Sequence, residues 1–402
     1  MSGFVHLHTH TQYSLLDGQA SVKKLVDKAI KDGMPGIAIT DHGNMFAIKE
    51  FMNYVGKVNG AKAGREKDLK KLLDKMLALE AEGENPATLL AKKQSEEAAL
   101  NAEIEKAQKA NKDFEPSDEQ TKLLAELASQ IADLSAMQKE FGFDAVKARE
   151  IIVEMENTPP FKPIIGCEVY VARRRMEDRV HGIDNDPYHL VLLCENRQGY
   201  ENLCLLVSEA HIRGFYGKPR VGLELLEKYH EGLIALSACL AGAIPQYLME
   251  EDYISAKEYA LKLANIFGPE RFYLELQDHG IEEQRSVNQG VMRLARETGL
   301  PLVVTNDAHY LHKEDATMQD VLLCIQTGKT VDDENRMKFQ TEEFYLKSEE
   351  ELRKLFPNCD EAFENTVKIA NMCNLEFTFH EYHLPSFPVP QGYTNEQSFR
   401  KL

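Results

Sequence analysis

The apolar residues of this chain fall into two kinds of run, and the alternation between them predicts the fold. Seven short runs are β-rich, at residues 4–8, 36–40, 163–171, 189–194, 233–237, 272–276 and 301–305. Between most of them lie segments with helical spacing, at 22–31, 199–213, 256–267 and 283–298. This alternation is typical of βα units with a parallel sheet, and seven units predict an α/β barrel. Such a barrel carries its chemistry at the carboxyl ends of the strands.

Two parts of the chain depart from this alternation. Residues 61–160 are rich in Ala, Glu, Lys and Leu at helical spacing, which predicts a helical hairpin or small bundle inserted after the second strand. We interpret it as a surface excursion, with a docking arm for a partner as the alternative. Residues 315–402 are predicted to be helical and then extended at HEYHLPSFPVP. The predicted domains are therefore 1–60 with 161–314, the insertion 61–160, and 315–402.

Composition narrows the class of protein. The N-terminus has no basic start followed by an apolar run, and no run of apolar residues is long enough to span a membrane. The seven cysteines show no CxxC spacing, which favours a reducing cytoplasm over a disulfide framework. We expect a cytoplasmic protein without membrane contact, and the ending SFRKL indicates a piece of a longer chain.

The net charge of −18 argues against a strong grip on duplex DNA by these residues, because affinity for phosphates needs basic surface. A local exception is predicted at Arg173, Arg174, Arg175 and Arg179, although a short basic run is usually a solvated loop. If the chain acts on DNA, the main contacts to DNA are expected elsewhere.

Side chains that can bind metals stand at the ends or edges of most predicted strands. The first strand ends in HLHTH, so His6, His8 and His10 share one face of an extended chain. The others are Asp17 after the first strand, Asp41 and His42 after the second, Glu168 in the third, His189 opening the fourth, Cys239 after the fifth, and Asp307 with His309 after the seventh.

Each of these residues has an ordinary structural interpretation when it is taken alone. Together they would crowd carboxylates at one barrel mouth, and that costs repulsion and desolvation unless cations lie between them. The set therefore predicts a cluster of two or three divalent ions. Histidine with carboxylate suits zinc, manganese or iron, a thiolate shifts the choice towards zinc, and magnesium remains an alternative.

The motifs HLHTHTQYSLLDG, ITDHGN, GCEVYV, SACLAG and TNDAHY closely resemble the polymerase-and-histidinol-phosphatase (PHP) domain of bacterial DNA polymerase III alpha subunits. The resemblance covers about 1–60 and 161–402 and leaves out the insertion. It implies a distorted seven-stranded βα barrel that binds up to three metals, followed by a segment leading into the polymerase palm. The palm aspartates of that family have no counterpart before Leu402, so the chain is not expected to polymerise alone.

The family's ligand pattern falls on residues that can all bind metal, whereas His6, Asp41 and His279 lie outside it. The implied ligands are His8, His10, Asp17, His42, Glu168, His189, Cys239, Asp307 and His309. We predict that Glu168 and Asp307 bridge or orient ions and form the catalytic group with His309. Lys218 and Arg220 in GFYGKPR are predicted phosphate contacts, with ordinary loop charges as the alternative.

Three functions follow as hypotheses. The first is metal-assisted phosphoester hydrolysis at the 3′ end of DNA, which would be proofreading within the polymerase. The second is a structural metal domain that stabilises the polymerase and docks a separate proofreading exonuclease. The third is a free-standing phosphatase resembling histidinol phosphatase, which the segment after residue 315 disfavours.

Overall fold

The computed structural model describes residues 3–379, 381 and 388–401. Most of HEYHLPSFPVP, for which an extended conformation is predicted, lies outside the described residues. Among the described residues, no helix has the length and apolar character that a bilayer span requires.

One curled sheet forms the centre of the described structure, and the α/β barrel prediction is confirmed in this form. Its strands are β1 Gly36–Ile39, β2 Lys162–Val171, β3 Tyr188–Cys194, β4 Arg220–Val221, β5 Leu233–Leu236, β6 Phe272–Leu276 and β7 Leu302–Val304. The order is β1-β2-β3-β5-β6-β7, with the short β4 paired to β2 beside this path.

Helices cover the outside of the sheet, form the insertion and follow the last strand. They are α1 Val22–Lys31, α2 Ile48–Ala81, α3 Pro86–Ala110, α4 Asp118–Phe141, α5 Ala145–Asn157, α6 Arg197–Ile212, α7 Leu223–Lys228, α8 Ala243–Met249, α9 Tyr253–Phe267, α10 Glu282–Thr298, α11 Ala316–Thr327, α12 Glu349–Leu355, α13 Asp360–Met372 and α14 Asn395–Phe399. A single 3₁₀ turn, Lys313–Asp315, precedes α11.

The sheet is not wholly parallel, and this part of the prediction was wrong. Strand β3 runs antiparallel to both of its neighbours, β2 and β5. The physical reason is the connection from β2 to β3, residues 172–187, which contains no helix. A parallel neighbour needs a crossover, whereas a chain that turns straight back pairs antiparallel. The first residues of β3 therefore lie beside the carboxyl ends of the parallel strands.

The N-terminal segment bridges the two edges of the sheet, although it is not a regular strand as predicted for residues 4–8. The amide of Ala38 donates to the carbonyl of His6, 2.8 Å away, and the amide of Thr40 donates to that of Thr9, 2.9 Å away. On the other side, Thr9 pairs in parallel with Ala308 just after β7. This segment therefore carries its histidines between the first and last strands of the barrel.

The insertion has an apolar core of its own. Helix α2 begins on the barrel, where Phe51 and Val55 are buried in the main core, and then leaves it. From Leu69 onward its apolar residues join α3, α4 and α5 in a separate cluster that buries Phe141 completely. The predicted boundary after residue 60 falls within α2, between these two cores.

The segment after β7 packs on the barrel. Helix α13 contributes Ile369 and Ala370, and the residue after it contributes Cys373, to the apolar cluster formed by the inward side chains of the strands. The amide of Val5 also donates to the hydroxyl of Thr366 in this helix, 3.1 Å away. This part of 315–402 therefore completes the barrel interior.

Replacing Phe141 by alanine tests whether the insertion is an independent unit. We expect a local loss of about 3–5 kcal/mol, because a fully buried aromatic ring leaves a cavity. Hydrogen exchange should speed up in α3, α4 and α5 while β2, β5 and β6 keep their protection. The exposed Phe46 provides the control Phe46→Ala. An equal loss of protection in the strands would show that the insertion shares the stability of the barrel.

Candidate metal centre

The predicted ligands meet at one mouth of the barrel. The bridging N-terminal segment carries three of them, the ends of β1, β5 and β7 carry four, and the facing ends of β2 and β3 carry two. In chain order they are His8, His10 and Asp17, then His42, Glu168, His189 and Cys239, and finally Asp307 and His309. The antiparallel course of β3 places His189 here although it stands near the start of its strand.

Glu168 occupies the centre of the cluster and is completely buried. Its Oε1 lies 2.9 Å from Nδ1 of His189 and 3.3 Å from Nε2 of His8. Its Oε2 lies 2.5 Å from Nδ1 of His42 and 3.7 Å from Nε2 of His10. One carboxylate thus faces four imidazoles, which is the arrangement expected of a bridging ligand.

Asp307 supplies a second shared carboxylate. Its Oδ1 lies 3.0 Å from Nε2 of His10 and 3.2 Å from Nε2 of His8. The residue has a φ of 43°, in the left-handed region that non-glycine residues rarely adopt. Such strain concentrates where a side chain must point in one direction, as at a binding site.

Asp17 and Cys239 close the cluster on two sides. Oδ1 of Asp17 lies 3.3 Å from Nε2 of His42, and its Oδ2 lies 3.8 Å from Nε2 of His309. The Sγ atom of Cys239 lies 3.8 Å from Nδ1 of His189 and 3.9 Å from Oε1 of Glu168. All nine predicted ligands are therefore neighbours in space.

Several inward-facing atoms of the site are buried and lie close to one another, but they form no well-directed hydrogen bond within the described residues. They are Nε2 of His8, Nε2 of His10, Oδ1 of Asp17, Nδ1 of His42, Oε2 of Glu168 and Oδ1 of Asp307. An unpartnered buried polar atom is costly, and buried polar groups are normally paired. Donor atoms gathered around a common space would recover this cost by binding cations, so the residues fit a metal cluster.

Three groups of side chains bring their ligand atoms within 4.8 Å of one another. They are His8 with His10 and Asp307, His10 with His42 and His309, and His42 with Glu168 and His189. Because neighbouring groups share His10 and His42, the ligand set favours several ions over one. The donors are imidazole nitrogens and carboxylate oxygens, with one thiol beside them, which suits zinc, manganese or iron.

Hydrogen bonds on the outer side of the site fix the orientation of the imidazole rings of His8 and His309. Nδ1 of His8 lies 3.1 Å from Oε2 of Glu275, and Nδ1 of His309 lies 2.8 Å from the carbonyl of Asp307. Both partners are acceptors, so each Nδ1 donates and leaves Nε2 as a lone pair directed inward.

His10 is held by a short relay of hydrogen bonds. The hydroxyl of Ser14 donates to Oδ1 of Asp41 over 2.7 Å and lies 3.0 Å from Nδ1 of His10. Because the single hydroxyl proton of Ser14 is used on Asp41, Nδ1 of His10 is the donor in the second bond. Asp41, predicted to lie outside the ligand set, thus fixes the proton of a ligand.

Glu275 was not predicted, although its signal was present. It is a carboxylate within the otherwise apolar strand FYLEL, the same kind of signal by which Glu168 stands out in GCEVYV. The amide of Ala238 donates to its Oε1 over 2.6 Å, and Gln277 and the Thr305 hydroxyl donate to its Oε2. These donors hold the carboxylate against His8.

Protonation in the site is set by burial and by the mutual field of its groups. Burial opposes the charge of Glu168, but the imidazoles of His189 and His42 outweigh it and hold its pKa well below the usual range. Burial lowers the pKa of His10 to about 3, so this ring is neutral. Burial and nearby carboxylates raise the pKa of the Cys239 thiol. His10 and Glu168 are thus in the forms that bind metal, whereas Cys239 must release a proton to do so.

The carboxylates of the site favour the protonated form of two rings. Burial would lower the pKa of His8, but the three carboxylates around it outweigh burial and raise that pKa well above the usual range. The pKa of His42 is raised in the same way, against burial, by Asp17 and Glu168. Metal binding at these rings therefore competes with protons.

His6 and His279 have structural roles, as predicted from their place outside the ligand pattern. Nε2 of His6 lies 2.8 Å from the carbonyl of Lys347. His279 stacks on Phe344 at 3.9 Å between ring centroids, and its Nε2 lies 2.7 Å from the carbonyl of Asn306. Both rings are completely buried.

The two predicted phosphate contacts have different positions. Arg220 is completely buried, and its guanidinium donates to the backbone carbonyls of Gly214, Asp184, Met176 and Asp178. This geometry contradicts a phosphate contact, because its donors are used to hold the loop between β2 and β3. Lys218 is half-buried and donates to the hydroxyl of Tyr170 over 3.1 Å. The ring of Tyr170 in turn lies beside the rings of His42 and His189.

The predicted basic run in the β2–β3 loop is paired with the acids of that same loop. Arg173 contacts Asp186, Arg174 forms a 2.5 Å pair with Asp184, and Arg175 pairs with Asp178 over 3.1 Å. Arg179 donates to the backbone carbonyl of Arg213. The structural interpretation of this run therefore holds, and these pairs reduce its value as a surface for nucleic acid.

Replacing Glu275 by glutamine tests the outer contact of His8. The amide nitrogen would donate to Nδ1 and move the proton of the ring to Nε2, the atom that faces the site. We expect metal affinity to fall about 10- to 100-fold in a chelator competition titration. The matched control is Glu195→Gln, which alters a carboxylate paired with Arg271 on the surface. Equal affinity in both variants would contradict the orienting role.

Comparisons with known proteins agree with the geometry. The model of the PHP domain matches residues 6–146 and 128–279. The chain is 35% identical over 397 residues to DNA polymerase III subunit alpha of Treponema pallidum (strain Nichols), covering 98% of this chain and 25% of that protein. The same subunit of Thermus aquaticus is 34% identical over 410 residues, covering 99% and 25%.

The third relative is DNA polymerase III subunit alpha of Borreliella burgdorferi, 34% identical over 391 residues, with 97% of this chain and 25% of that protein covered. The chain thus spans about a quarter of the length of the curated relatives it matches. Because the family model matches more than half of the chain, this chain belongs to the PHP domain family.

Proposed function

We propose that this chain is the PHP domain of a DNA polymerase III alpha subunit and that it hydrolyses phosphoesters at the 3′ end of a DNA strand. The observation that carries the proposal is the set of unpartnered, buried donor atoms at one barrel mouth. When bound, two or three divalent ions would supply Lewis-acid activation of water and of the phosphoester.

The side chains divide this work by position. Glu168 and Asp307 each face several imidazoles and would bridge ions, while the remaining histidines and Asp17 would each hold an ion from one side. Asp307 and His309, joined through the backbone carbonyl of Asp307, would fix the catalytic geometry with Glu168. The outer contacts keep the ring protons away from the substrate side.

Lys218 is the proposed phosphate contact. Its ammonium contacts Tyr170, whose ring lies beside His42 and His189. These are the candidate histidine ligands with the greatest exposure, at 15% and 18% of their side chains. A cation at the accessible side of the cluster would hold a phosphate oxygen by a charge-assisted hydrogen bond.

The wider setting is also a proposal. The relatives are subunits of a DNA polymerase, and the net charge of −18 leaves the main grip on DNA to other parts of such a protein. Other replicase subunits, among them a proofreading exonuclease, are proposed partners. All seven cysteines are unpaired, which supports a reducing, cytoplasmic location.

A second function, a structural metal domain that stabilises the polymerase and docks a proofreading exonuclease, is favoured by the burial of the site. His8, His10 and Glu168 are completely buried, and closed coordination is typical of structural metal sites. A free-standing histidinol-phosphatase-like enzyme is disfavoured, because the polymerase relatives align with 98% of the chain, including the segment after β7.

Metal analysis with a 3′-end nuclease assay separates the two functions. We expect the wild-type protein to hold two or three ions and to shorten a single-stranded oligonucleotide from its 3′ end. His8→Ala and Asp307→Asn should each lose at least one ion and reduce activity by about 100-fold or more. The reason is that each side chain is directed at the space which the other candidate ligands surround.

The control is His230→Ala, since that ring bonds the backbone carbonyl of Glu227 outside the site. It should keep both the ions and the activity. Full metal occupancy without nuclease activity in the wild type would favour the structural function instead.

Lys218→Gln tests the phosphate contact. We expect KM for the oligonucleotide to rise about tenfold with little change in kcat, because one charge-assisted hydrogen bond is lost. Lys218→Arg should restore most of the affinity. The matched control is Lys228→Gln, which removes a lysine that lies over Tyr229 much as Lys218 lies over Tyr170. A KM unaffected by Lys218→Gln would rule out this role.

A further inference from the structure

A half-buried aromatic side chain, Phe339, stands at the edge of the metal centre. Its ring meets the ring of the ligand His309 edge to face, with 4.9 Å between centroids and an angle of 86°. Its other ring neighbour is Phe344, 4.4 Å away, which itself lies 6.0 Å from His309. Phe339 therefore touches the site directly without being a possible ligand.

The surroundings of Phe339 differ from those of most large apolar side chains in the protein. Among the described residues, the apolar clusters of the barrel and of the insertion include neither Phe339 nor Phe344. The two rings pack instead on each other and on the imidazoles of His309 and His279. Burial in the core therefore does not account for an aromatic residue at this position.

The segment that carries Phe339 has no regular secondary structure but is anchored on both sides. Before it, the guanidinium of Arg336 pairs with both carboxylate oxygens of Asp320, at 2.5 and 2.7 Å. After it, the hydroxyl of Thr341 donates to the carbonyl of His279 over 2.7 Å, and the amide of His309 donates to the carbonyl of Phe344 over 2.8 Å. These bonds hold the ring in place before any ligand binds, which lowers the entropy cost of binding.

Phe339 and Lys218 are connected by ring contacts to different imidazoles of one cluster, in which His42 and His309 are also 5.8 Å apart. His189 and His42 are 5.6 Å apart, His42 and His10 are 4.0 Å apart, and His10 and His309 are 4.3 Å apart. Tyr170, which holds Lys218, lies beside the first two rings, and Phe339 lies beside the last. A ligand held at this cluster would thus have both an aromatic ring, beside His309, and a cation, on Tyr170, in its surroundings.

We infer that Phe339 determines substrate specificity by stacking on the terminal base of a single-stranded nucleic acid whose phosphate lies over the ions. This inference rests on the proposed function and adds to it a residue that recognises the terminal base. Stacking suits every base because each has a π-face, so the contact would not depend on sequence.

The test compares base-bearing and abasic ends. Oligothymidylate and the same oligomer with an abasic 3′-terminal residue are bound to the metal-loaded protein, and binding is followed by fluorescence anisotropy alongside the rate of 3′ cleavage. Phe339→Leu should weaken binding of the normal end about tenfold and leave the abasic end unchanged. Phe339→Tyr should restore binding of the normal end.

The matched control is Phe377→Leu, because that half-buried ring meets Tyr200 edge to face at the same 4.9 Å but near the opposite end of the barrel. Metal content is measured for every variant. Equal loss on both ends, loss that Phe339→Tyr does not restore, or no binding by the wild type would overturn the inference. Base-dependent binding without cleavage would overturn the proposed hydrolysis and leave the role of Phe339 intact.

Discussion

Carboxylates and imidazoles brought together in a barrel interior cannot all be satisfied by one another. Glu168 and Asp307 are each shared by two or more histidine rings, and the inner atoms of these groups lack hydrogen-bond partners within the described part of the chain. In a desolvated space the remaining charge must be met by protons or by metal cations. The arrangement of the strand ends, the outer hydrogen bonds and the protonation of the rings all follow from this requirement.

The barrel meets the requirement by bringing chain segments together from several directions. The N-terminal segment lies between β1 and β7 and delivers His8 and His10 to the centre. Strand β3 runs antiparallel to its neighbours, so His189, near its start, lies at the same mouth of the barrel. Because the ligands come from separate strands, their positions depend on closure of the whole sheet.

The groups around the ligands explain why the site holds its shape. Glu275 on His8 and the Ser14–Asp41 pair on His10 assign the ring protons to the outer side. Arg220 holds the β2–β3 loop by donating hydrogen bonds to backbone carbonyls, so its guanidinium has a structural role and does not face a phosphate. The family relationship agrees with this architecture.

Much of this protein was determined by local sequence. The helical spacing of α1 and the apolar runs of β2, β5 and β6 predicted those elements closely, because burial of one face leaves a periodic pattern. The nine candidate ligands could be named because metal-binding residue types at successive strand ends form an improbable set, and resemblance to a family selected among them.

Tertiary structure alone decided the rest. The reversal of β3 depends on the path of a loop, and the irregular course of residues 4–10 depends on two strands far away in the chain. Glu275 and Phe339 owe their positions beside His8 and His309 to strand closure and to a distant anchored segment. Arg220 looked like a free cation until its carbonyl partners were known. Sequence periodicity reports which side of an element is buried, whereas partners separated by hundreds of residues are fixed only when the chain closes on itself.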